Sequence, residues 1–162
     1  MQVQSVDGGS MSYRISRVTW QTKKLELKAI RERVFVYELH IPKEVEFDQQ
    51  DITAEHLIII DELDGPVGTG RLCEDGLLSR IAIFKSHRNR DAYASLIGGL
   101  VDLAKDKGFE DVFIQCILDE VPEFLQSGFS THGHVFMEAG IPRQRLKCPI
   151  QSLKMEPFTM LH

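Results

Sequence analysis

Residues 33–57 read RVFVYELHIPKEVEFDQQDITAEHL. Val34, Phe35 and Leu39 continue a helical spacing that starts at Leu25 and runs through Leu27 and Ile30, while Lys28, Arg31 and Glu32 fall on the other side. Ile41-Pro42 ends this helix, because the residue before a proline is driven out of the helical region. A polar, acidic loop follows from residue 44 to 53, carrying Glu44, Glu46, Asp48 and Asp51. The apolar run Leu57-Ile58-Ile59-Ile60 then forms a strand across residues 56–61. Helix, acidic loop and buried strand in close succession indicate an α/β domain.

Upstream, residues 13–20 read as a first strand, with Tyr13, Ile15 and Val18 broadly alternating. Residues 1–12 read as a flexible tail around Asp7-Gly8-Gly9-Ser10, without the basic start and apolar core of a signal peptide. Downstream, strands at 67–73 and 77–84 follow the turns Asp64-Gly65-Pro66 and Asp75-Gly76, which makes an antiparallel meander with the strand at 56–61. Tyr93, Leu96, Ile97, Leu100, Val101 and Ala104 lie on one face of a second helix. Asn89 is its N-cap, Lys105 and Lys107 sit in its last turn, and Gly108 closes it. A strand at 112–117, a short helix at 122–128 and two strands at 133–136 and 143–147 complete the chain. The expected architecture is one domain, residues 13–162, with a mixed sheet of six or seven strands and helices on both faces.

Composition bounds the function. The chain has 162 residues, enough for one domain that needs no metal or disulfide staple. Hydrophobic residues are 43% and charged residues 27%, which excludes a disordered or collagen-like chain. The net charge of −5 argues against nucleic acid or an anionic membrane as partner. No apolar run approaches the ~18 residues of a membrane span. Cys73, Cys116 and Cys148 form no C-x-x-C pair, so neither a zinc site nor a redox motif is expected, and a reducing cytoplasm is the expected compartment.

The element order, and the residues of 33–57 in particular, closely resemble the GNAT superfamily of acyl-CoA N-acyltransferases, in its ElaA-like branch. The motif residues are Val34-Phe35, Glu38, Pro42, Glu44, Glu46-Phe47-Asp48, Asp51, Ala54 and His56. Pro66-Val67-Gly68-Thr69 with Arg71-Leu72, and Ala139-Gly140-Ile141-Pro142, match later strands of that fold. The resemblance implies transfer of an acyl group, acetyl in the first instance, from a CoA thioester to a primary amine on a small molecule or peptide. A homodimer is compatible with it. It also implies that backbone groups of Ile81 and Ile83 hold the pantetheine arm. The family's diphosphate cradle, Q/R-x-x-G-x-G/A, corresponds here to Arg88, Asn89, Arg90, Asp91, Ala92 and Tyr93. Such a cradle works because N–H groups at a helix start attract anions. Asp91 and Tyr93 stand where the family has small residues. Phe124 stands where it commonly has a tyrosine acid, and Asp119 where it has a histidine. These departures leave a second reading open: a GNAT-fold binding or regulatory module that has lost catalysis.

The candidate catalytic carboxylates are Glu46 in the acidic loop, and Asp119 and Glu120 after the strand at 112–117. Crowded carboxylates have raised pKa values, which suits a base that takes an ammonium proton. Their structural alternatives are turn, capping and first-turn roles. His132 and His134 share a strand face but lack a third ligand, so no metal is expected. His56 is expected to order the acidic loop by hydrogen bonding.

Overall fold

The computed structural model describes residues 2–4 and 13–153. The stretch read as a flexible run, residues 7–10, lies outside them. Gln2–Gln4, within the expected tail, is a strand (β1) paired antiparallel with Tyr13–Val18 (β2). Trp20 is not the end of that strand but the start of helix α1, Trp20–Arg31. The reason is local: Thr19 is an extended N-cap whose hydroxyl accepts the Thr22 N–H at 3.2 Å. The helix continues as a π-helical segment, Glu32–Glu38. It stops at His40, in the left-handed region at φ 61°, where the His40 and Ile41 N–H groups close back onto Val36 and Phe35. The stop thus precedes Pro42. The acidic loop contains two single-turn helices, α2 (Lys43–Glu46) and α3 (Gln50–Thr53).

The meander is present as β3 (Glu55–Asp61), β4 (Gly65–Leu72) and β5 (Leu78–Ile83). It extends β1 and β2 into a five-stranded antiparallel sheet in sequence order. Helix α1 and the π segment bury Leu27, Ile30, Val34 and Phe35 on one face, against Ile58 and Ala82. The long helix α4 (Arg90–Asp106) covers the other face, with Tyr93, Leu96, Leu100 and Ala104 fully buried against Ile15, Leu57 and Ile59. It lies so near β4 that a Cβ at Gly70 would sit 2.9 Å from Leu100 Cδ1.

A second sheet follows: β6 (Asp111–Ile117), short helix α5 (Val121–Gln126), β7 (Ser130–Thr131), β8 (Phe136–Glu138) and β9 (Ile141–Pro149). β9 lies between β6 and both short strands. The described residues therefore hold nine strands in two sheets, not six or seven in one: β1 and β7 are too short to give a periodic signal, the strand expected at 133–136 lies at 136–138 as β8, and β5 and β6 join through one bridge instead of a ladder. The sheets meet through a single parallel bridge, Leu77 to Phe113, beside the Phe113 N–H to Gly76 carbonyl bond at 3.0 Å. Beyond it β5 and β6 form no further ladder, and a seam opens between them.

Candidate active site

Three groups of residues hold the candidate site positions. The first is the acidic loop. Arg31, only 1% exposed, donates to Glu46 Oε2 at 2.7 Å and Asp51 Oδ1 at 2.6 Å. Arg71, 2% exposed, donates to Asp48 at 2.7 Å and Asp51 at 3.0 Å. A bulge opposite Gly70 puts Arg80 at φ 52° and turns its guanidinium onto the Glu46 carbonyl (2.9 Å) and Asp48 (3.1 Å). Three cations thus face three carboxylates, and the loop is fastened to α1, β4 and β5. Glu44 remains exposed. Burial pushes the Glu46 carboxyl up, against the pull of Arg31 and Arg80. Burial would raise Asp51 too, but hydrogen bonds and charge from Arg31, with Arg71 behind them, hold it below its ordinary value. His56 orders this loop as expected: its Nε2 is 2.8 Å from the Asp51 carbonyl, and burial lowers its pKa.

The second group is the cradle. Asn89 caps α4, with its side-chain oxygen accepting the Ala92 N–H at 2.9 Å. The cap is pinned in turn. Asn89 Nδ2 donates to the Tyr13 hydroxyl at 3.0 Å, that hydroxyl is 3.0 Å from His87 Nδ1, and His87 Nε2 is 2.7 Å from Asp64. Arg88 forks onto Glu38 with two bonds of 2.6 Å, and its Nε donates to the Ile83 carbonyl at 2.8 Å. That carbonyl, expected to serve a pantetheine arm, already has a donor. Ile81, Ile83, Ala92 and Tyr93 bury their side chains in the cores. Tyr93 therefore does not occupy the outer face of the cradle. Its phenol is pushed up to about 12 by burial and by the Glu120 and Glu38 carboxylates, against the opposing pull of Arg88. Arg90 is exposed, and Asp91 is half-buried in the first turn. Arg88, Arg90 and the first turn of α4 are the groups a diphosphate would meet here; in this structure Glu38 holds the Arg88 fork and Asn89 the Ala92 N–H.

The third group lines a pocket beside the seam. Its polar wall is Glu46, Ser79, Arg80, Gln115, Glu138 and Arg143, and Phe35 and Ile41 supply apolar surface. Of the residues lining this pocket, Glu46 and Ile81 were site candidates from the sequence. Glu138 and Arg143 flank the β8–β9 turn, three residues from it or less, so a charged pair bracketing Ala139-Gly140 was the available signal. The other candidates lie apart. Asp119 is exposed, whereas Glu120 is buried near Cys116, whose thiol burial and Glu120 raise to about 11. Phe124 packs edge-on against Phe129 at 5.5 Å, 2% exposed. His132 and His134 are both exposed.

No family model matches the chain. Over 121 residues it is 32% identical to a Bacillus subtilis (strain 168) protein described as the uncharacterized N-acetyltransferase YjcF, covering 72% of this chain and 86% of that relative. The chain belongs to the GNAT family of N-acetyltransferases. The GNAT fold is also seen in solved structures. An acyl-CoA N-acyltransferase from Pseudomonas aeruginosa superposes at TM-score 0.72, with 18% identity over 86% of this chain and 99% of its own. Escherichia coli ElaA superposes at 0.69, with 17% identity over 84% of this chain and 99% of its own. Among the described residues no helix is long and apolar enough to cross a membrane.

Proposed function

We propose that this GNAT protein transfers an acyl group from a CoA thioester to an amine. The observation that carries this reading is the seam between β5 and β6, which join through the one Leu77–Phe113 bridge, with a pocket of mixed charge lined by residues of both strands. When bound, the thioester would supply the activated acyl carbonyl. Arg88, Arg90 and the N–H groups of the first α4 turn would hold its diphosphate. The edge of β5 at Ile81 and Ile83 would run beside the arm. Glu46 and Glu138 are the carboxylates facing the pocket, where they orient an ammonium and receive its proton. Glu46 suits that role because burial raises its affinity for a proton. Three free, buried thiols support a reducing, cytoplasmic setting.

A second reading has its own observation. The cradle is internally satisfied, with Asn89 on the Ala92 N–H and Glu38 on Arg88, and Phe124 is a core residue. A non-catalytic GNAT module would look the same. Calorimetric titration with CoA and acetyl-CoA, followed by thiol release with a panel of amines, separates the two. Heat of binding with acyl-dependent thiol release supports transfer. No binding at millimolar CoA supports the non-catalytic module.

A further inference from the structure

Among the described residues, Arg143 is the buried cation whose hydrogen bonding the fold leaves incomplete. It sits on β9, opposite Ile117 of β6 and Phe136 of β8, and is 9% exposed. Its Nε is buried and makes no hydrogen bond among the described residues. Glu138 Oε1 is 3.2 Å away, an ion pair without the alignment of a hydrogen bond, and Glu138 is 39% exposed. The contrast is Arg31, whose guanidinium is met by Glu46 and both oxygens of Asp51. Removing a guanidinium from water without meeting its N–H groups is unfavourable, so an incompletely bonded one that lines a pocket points to a partner there. Both Arg143 and Glu138 line the pocket beside the seam.

We infer that the acceptor is a zwitterion of the amino-acid type, its carboxylate bound by Arg143 and its ammonium by Glu138. The inference rests on the acyl-transfer reading of the same pocket and names its substrate class. A carboxylate matches the planar fork of a guanidinium and takes two parallel N–H bonds, which a point charge such as lysine does not reproduce. An amine without a carboxylate would put its ammonium beside Arg143 with nothing to separate the like charges. An acceptor carrying both charges pairs each with its opposite. The other guanidinium in the pocket, that of Arg80, is already held by the Glu46 and Val45 carbonyls and by Asp48.

The test is calorimetry on the full chain without donor, using the twenty standard amino acids and the decarboxylated amine of each one that binds. The wild type should bind at least one amino acid about 10–100-fold more tightly than its amine, the range expected for a charge-assisted hydrogen bond. Arg143→Gln should abolish that preference, weakening the amino acid and, with the like charge gone and Glu138 released, strengthening the amine. Arg143→Lys, which keeps the buried charge and loses the fork, should restore part of it, and serves as the comparison if the glutamine variant does not fold. Equal affinity for amino acids and amines, a preference that survives Arg143→Gln, or no amino acid bound at millimolar concentration would each overturn the inference. Thiol release from acetyl-CoA with the same panel distinguishes the underlying reading. Turnover of simple amines at rates equal to amino acids overturns the carboxylate site and upholds acyl transfer. Arg143-dependent amino-acid binding without thiol release upholds the site and removes acyl transfer.

Discussion

Asp51→Ala is the sharpest probe of the acidic loop. Asp51 is 1% exposed and accepts from Arg31 through both oxygens, from Arg71, and from the Asp48 N–H at 3.1 Å. The substitution leaves two guanidiniums, themselves 1% and 2% exposed, short of a carboxylate. Removing one partner of a buried ion pair costs about 3–5 kcal/mol. A domain of this size has about 5–15 kcal/mol in all. At about 2–4 °C per kcal/mol, the melting temperature should fall by roughly 6–20 °C. The pH dependence has a definite sign. The folded-state pKa of Asp51 is lowered, so its contribution is fully present above the unfolded value of about 3.9 and is lost as pH falls through the lower folded value. The gap between wild type and variant should therefore be constant near neutrality and close below about pH 4. Urea unfolding from pH 7 down to 3 measures it. A loss under about 1 kcal/mol at pH 7 would refute the account of the loop as a buried charge lock, because exposed pairs are worth no more than that.

Leu96→Asp should prevent folding, since Leu96 is fully buried between α4 and the sheet; a soluble variant with a cooperative melt would show that face to be misassigned. Asp91→Asn should tighten CoA binding by about tenfold by removing a half-exposed like charge from the anion-binding turn, and unchanged affinity by calorimetry would mean the diphosphate does not lie there. Tyr93 is unsuitable for the same experiment, because truncating a fully buried aromatic in a helix costs about 3–5 kcal/mol. Phe124→Tyr should lower the melting temperature without raising kcat, because the new hydroxyl enters a core packed against Phe129 at a cost of about 1–3 kcal/mol. A gain in kcat of about 10²–10⁴ would instead identify that position as the general-acid site.

The sequence alone determined the order of the longer elements, the apolar face of α4 with its Asn89 cap, the meander, and the final hairpin at Ala139-Gly140, but not the short strands β1 and β7 or the division into two sheets. Each of these is written in local chemistry: a period, a cap or a turn residue decides it within a few positions. It also carried the family resemblance through residues 33–57, because motif residues can be read without knowing what they touch. What Glu46 and Asp51 do was not legible there. Their guanidinium partners come from α1, β4 and β5, separated by 15 to 34 residues, and only folding turns an acidic run into a neutral, buried lock. The cradle shows the same limit. Arg88 meets Glu38 from 50 residues away, and Tyr93 faces the core although its position in the motif borders the cradle. Arg143 gave no signal on its own, since an arginine in a terminal strand is ordinarily a surface residue. The pairing of β9 between β6 and β8 buries it beside the seam, and tertiary structure alone decides that, because burial is a property of everything packed around a side chain rather than of its neighbours in sequence.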